Sequence, residues 1–156
     1  MQRLYKFFWG SSILLFLAVL LLVYSFLMER TSPELQQWGI ESESQLRQWF
    51  FWGSLLVFLL VNIVLFVLHK TILRANKHQP DLTKWRINKE IALWLLGLTA
   101  SINIFLVTAM GFVGIMNNAE DLRLNDYTVM IYVGPAIMIL MFVVLSMRLH
   151  KLKNLA

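Results

Sequence analysis

Few residues in this sequence are placed where they could do chemistry, and two asparagines lead them. Asn62 and Asn103 each lie near the middle of a long apolar run. A carboxamide carries two N–H donors and a carbonyl acceptor, so the pair can serve a neutral solute or an ion, or can tie two helices together. An inter-helix bond of this kind contributes about 0.6–2 kcal/mol in a membrane, and that structural role is the one we expect. Thr99, Ser101 and Thr108 carry less weight, because a hydroxyl on a helix bonds back to a carbonyl one turn earlier.

The three histidines are His69, His78 and His150. His69 and His150 fall at ends of apolar runs, where a haem or metal could be held between two helices. A bis-histidine haem inside a bundle needs ligands within the spans, and the spans hold none, so the expectation is no cofactor and no metal. Residues 117–126 are rich in oxygen ligands, with Glu120, Asp121 and Asp126 among them. They lack the spacing and central glycine of a calcium loop, and Asp126 reads better as a helix cap. With no cysteine, disulfides and thiolate nucleophiles are excluded. There is no phosphate-binding glycine loop, zinc motif or serine nucleophile elbow. A lipid-acting enzyme would have to draw on His69, His78, Glu120, Asp121 and Asp126, but the topology below separates the histidines from the acids. The chain is therefore expected not to be an enzyme.

The elements that carry these residues follow from hydropathy. Of 156 residues, 58% are apolar and 15% charged, against about 25% charged in soluble domains. About 20 apolar residues of helix cross a bilayer core. Four runs meet that requirement, at 7–28, 49–68, 91–116 and 127–147. The expected fold is an all-α integral membrane bundle of four transmembrane helices, up-down-up-down, forming a single domain over 1–156. The first run ends in Ser25-Phe26-Leu27-Met28, without the small residues of a cleavage site, and reads as a retained helix. No run contains an Asp, Glu, Lys, Arg or His in its interior. Membrane pumps keep such residues for their work, so a proton-coupled exporter is not expected.

Basic residues set the orientation. All of the 14 Lys and Arg except Arg30, Arg47 and Arg123 fall in the N-terminal tail, the link between runs two and three, or the C-terminal tail. The positive-inside rule puts these three segments, and both termini, in the cytoplasm. The organisation resembles that of small bacterial inner-membrane proteins in architecture only, and that likeness transfers no site. A net charge of +5 beside anionic headgroups needs no nucleic acid to explain it.

Local signals refine the outline. Tyr5, Trp9, Trp49, Trp52, Tyr127 and Tyr132 lie at run ends, where aromatic belts form. Phe7-Phe8-Trp9-Gly10-Ser11 recurs as Phe50-Phe51-Trp52-Gly53-Ser54, which as an inverted repeat would suggest a transporter. More simply, aromatics followed by small residues often open a membrane helix. Ser32-Pro33-Glu34 predicts a short surface helix in the first outer loop, and Ser42 with Gln45 a capping box. Asp81 predicts the N-cap of a helix running on to about residue 115, longer than a bilayer core is thick. Gly97 and Ser101 form a small-x-x-x-small pair for close helix approach, and Gly134-Pro135 predicts a kink in the fourth run.

The function expected from these features is non-enzymatic: an accessory or scaffolding subunit that packs against other membrane proteins or a second copy of itself, with lipid as its other partner. The alternative is a small transporter or channel for a neutral or lipidic solute. It would use Asn62, Asn103 and the Gly134-Pro135 kink, and would need a cavity reaching mid-span between helices two, three and four.

Overall fold

The computed structural model describes residues 2–29, 43–77, 79–118 and 129–153. They form four α-helices: α1 (Gln2–Glu29), α2 (Glu43–Asn76), α3 (Leu82–Asn118) and α4 (Val129–Lys153). All four are long and apolar enough to span a membrane. Glu120, Asp121, Asp126, His78, Tyr127 and the loop signals at 32–42 lie outside the described residues.

The helices are longer than the apolar runs that mark them. In the basic link between the second and third runs, α2 runs on to Asn76, well past the end of its run at Leu68, while α3 begins at Leu82, as the Asp81 cap predicts. Lys70 and Arg74 therefore stand on a helix and not on a loop, and Lys84, Arg86 and Lys89 stand on the helix expected from residue 82. Apolarity measures how much chain must avoid water, whereas helix formation continues wherever backbone bonding is unbroken and long basic side chains can reach solvent. The connection is closed at both ends. Lys77 N–H bonds Arg74 O at 3.1 Å, an i to i−3 bond that tightens the last turn of α2. Asp81 caps α3 as expected, its Oδ1 accepting from Thr83 N–H at 2.9 Å and Lys84 N–H at 3.3 Å. With 37 residues, α3 measures about 55 Å.

The centre of the bundle is α3. Helices α1, α2 and α4 all pack on it, while α1 and α2 touch each other only lightly. Half of the apolar window of α3 is buried (50%), against 6% for α4. Small residues allow this crowding, because without a large side chain the backbones come closer and gain dispersion contacts. Ala92, Gly97, Thr99, Ala100 and Ser101 are all buried around its circumference. On α1, one stripe faces inward: Ser12, Phe16, Leu20 and Val23. Phe16 stacks on Phe58 of α2 with ring centres 3.9 Å apart, a contact of about 0.5–1.5 kcal/mol beyond the area it covers.

Helix α4 continues through Pro135. Just before it, Gly134 lies directly on α3: a Cβ added there would come within 2.6 Å of Phe105 Cα. At Gly97 the space a Cβ would take is filled by side-chain ends, Met141 from α4 and Tyr5 from α1.

Candidate functional site

Asn62 and Asn103 meet. Asn62 Nδ2 donates to Asn103 Oδ1 at 2.9 Å, and Asn103 Nδ2 donates back to Asn62 Oδ1 at 3.3 Å. Asn103 Nδ2 also donates to Ser12 Oγ at 3.0 Å, and Ser12 Oγ–H donates to Trp9 O at 2.7 Å. Asn62 Nδ2 has a second acceptor in Phe58 O at 2.9 Å, and its Oδ1 takes Trp9 Nε1–H at 3.1 Å. The result is a closed polar centre joining α1, α2 and α3, with Asn103 at 0% exposure. Each buried polar atom has a partner, which is what a low-dielectric interior requires. Chemically it is a clamp, because its donors and acceptors are taken up by one another.

Trp9 was expected in a headgroup belt. Instead it turns into the bundle, stacked on Phe66 with centres 5.4 Å apart and bonded to Asn62. Its counterpart in the repeated motif, Trp52, is 63% exposed. The two copies of the motif are not equivalent in their surroundings, as a functional inverted repeat would require.

The clamp belongs to a longer seam that sequence reasoning missed. Asn62, His69 and Asn76 are seven apart on α2, and each reaches α3. His69 Nδ1 lies 2.7 Å from Ala92 O, and Asn76 Nδ2 donates to Trp85 O at 3.1 Å. A carbonyl only accepts, so Nδ1 carries the proton. Residues seven apart lie on one face of a helix. On α4, Gly134, Met141 and Arg148 show the same interval. Gly134 meets Phe105, Met141 O accepts from Trp94 Nε1–H at 2.8 Å, and Arg148 Nη1 donates to Glu90 Oε2 at 2.8 Å. The seven-residue spacing of Asn62, His69 and Asn76 was the available signal.

The Glu90–Arg148 pair ties α3 to α4 at the basic end, with side chains 27% and 29% exposed. At such exposure water screens the charges. Glu90→Gln is expected to cost less than about 1 kcal/mol in detergent unfolding, and the difference should vanish at high salt.

The remaining candidates are placed as follows. Thr99 and Ser101 bond back to Leu95 O and Gly97 O, and Thr108 to Phe105 O. His69 is engaged with α3, and His150 is exposed on α4. No group of three or more His, Asp or Glu able to hold a metal occurs among the described residues. The cavity at the basic end lies between α1 and α2, about 360 Å³ in volume and lined by Gln2, Lys6, Trp9, Phe66, His69 and Lys70 among others. Comparison with known protein families, with characterised proteins and with solved structures finds no match.

Proposed function

We propose that the chain is a small, non-enzymatic membrane protein, an accessory or scaffolding subunit that works by packing its outer helix faces against other membrane proteins. The observation that carries this is the division of labour between inner and outer surfaces. The interior polar groups of Ser12, Asn62, Asn103 and Trp94 are committed to helix–helix hydrogen bonds. Helix α4, by contrast, is held along a single seam and leaves Ile139, Leu140, Phe142 and Val143 exposed. A solute path through Asn62, Asn103 and Gly134-Pro135 has less in its favour, since the asparagines satisfy each other and Phe105 fills the space at Gly134.

The test is purification of the tagged chain from its native membrane in mild detergent. The expected result is a stoichiometric membrane-protein partner whose recovery falls at least roughly tenfold in an Ile139→Ala/Leu140→Ala/Val143→Ala variant, the loss of about 1.4 kcal/mol of contact. Because these side chains are exposed, the variant should keep its own stability. Recovery of a lone monomer would overturn the proposal.

We further place both termini and the α2–α3 connection on the cytoplasmic side of a bacterial inner membrane. The basic residues at the start of α1 and α3 and at the end of α2 and α4 gather at one end of the bundle, which supports this orientation. The chain has no native cysteine, so Glu120→Cys gives a single label site. Labelling is expected from the outer side, and labelling only from the cytoplasm would reverse the orientation.

A further inference from the structure

We infer that the groove between α1 and α2 at the basic end is a seat for one anionic phospholipid, its phosphate held by Lys6 and Lys70 and the upper part of an acyl chain laid along Trp9, Gly10 and Phe66. The inference rests on the chain being membrane-embedded and goes beyond the accessory role. Three observations carry it.

The first is charge. The groove is lined by Gln2, Lys6, Trp9, Gly10, Phe66, His69, Lys70, Leu73 and Leu96, which include two ammonium groups and no carboxylate. Lys6 and Lys70 are exposed and stand where the groove meets its surroundings. The Lys70 ammonium lies over the Phe66 ring at 5.4 Å, so it is held over the apolar wall.

The second is a histidine in the groove wall. His69 is 4% exposed and lines the groove. Its Nδ1 is taken by Ala92 O, while Nε2 has no partner among the described residues. With the proton on Nδ1, Nε2 is an acceptor, and a headgroup glycerol hydroxyl supplies a donor for it.

The third is shape. The stacked rings of Trp9 and Phe66 form a flat wall. At Gly10 nothing lies within 4 Å of where a Cβ would be, so the glycine leaves open space beside that wall. A charged mouth above an apolar wall matches the two halves of a phospholipid, whereas a free phosphate would leave the wall uncovered.

Native mass spectrometry of the detergent-purified full chain, with added phosphatidylglycerol or phosphatidylcholine, tests this. Wild type is expected to retain one phosphatidylglycerol in preference to phosphatidylcholine. Lys6→Gln/Lys70→Gln should weaken retention about thirtyfold, while Lys84→Gln/Lys89→Gln, equal in charge but outside the groove, should not. Gly10→Leu adds a side chain in open space, so it should block retention without lowering the melting temperature of the lipid-free protein. Equal retention of the two lipids would overturn the seat, as would equal loss in both lysine pairs or displacement of the lipid by inorganic phosphate. Recovery of the chain without detergent would instead overturn the membrane reading beneath it.

Discussion

Asn62→Leu is expected to cost about 3 kcal/mol of bundle stability, roughly twice the cost of Asn103→Leu at the other end of the same hydrogen bond. The asymmetry follows from what each substitution strands. Without Asn103, Asn62 still donates to Phe58 O and still accepts from Trp9, and Ser12 still donates to Trp9 O. Nothing buried is orphaned, and the loss is that of inter-helix bonds, about 1–2 kcal/mol. Without Asn62, the carbonyl of Asn103 loses Asn62 Nδ2 and the indole N–H of Trp9 loses Asn62 Oδ1. Each stranded group adds a desolvation cost of about 1–3 kcal/mol, tempered where lipid-exposed helices can repartner. Removing both asparagines leaves only Trp9 stranded, so the double variant should be more stable than the sum of the singles predicts, by about 1 kcal/mol. Unfolding in mixed micelles by increasing denaturing detergent measures all three. Equal costs for the singles, or strict additivity, would mean that the clamp does not exist as described.

The clamp was half legible beforehand. Two asparagines at similar depth in apolar runs are conspicuous, and their pairing follows if their helices are neighbours. Trp9 and Ser12 were not legible as members. An aromatic at a run end reads as a headgroup anchor, and a serine reads as bonded to its own helix, which Ser12 also is. The four long apolar helices were plain, because uncharged runs of that length have few alternatives. The seams were not. In a helix that is apolar all round, hydrophobic periodicity no longer separates inside from outside, since lipid accepts the same side chains as a core. What separates them is the polar or very small residue, which lipid tolerates poorly or which lets a neighbour come close. Asn62, His69 and Asn76 mark the inner face of α2, and the buried small residues of α3 mark it as the helix with three neighbours. Read that way, His69 belongs to the packing seam before it belongs to any metal or haem.

Gly134→Ala should detach α4 from α3 over much of its length, at a cost of about 2–3 kcal/mol. The added methyl would come 2.5 Å from Phe105 Cβ and 2.6 Å from Phe105 Cα. Both are atoms that no rotamer change can move, so the helices must separate. Dispersion falls steeply with such a gap, leaving α4 the Trp94–Met141 hydrogen bond and the Glu90–Arg148 pair to hold it. Phe105→Ala should not rescue the variant, because alanine keeps the Cα and Cβ that obstruct. Gly97→Ala supplies the contrast on the facing helix. Its obstruction is the methyl end of Met141 and the ring of Tyr5, which can swing aside, so about 1 kcal/mol is expected and Met141→Ala should recover part of it. The pair of outcomes separates a backbone contact from a side-chain contact using the same unfolding measurement. Loss of α4 docking should also abolish partner recovery through its exposed face while leaving the α1–α2–α3 clamp intact. If Gly134→Ala proves as mild as Gly97→Ala, then α3 and α4 are not in backbone contact, and α4 must be held by Trp94 and Arg148 instead.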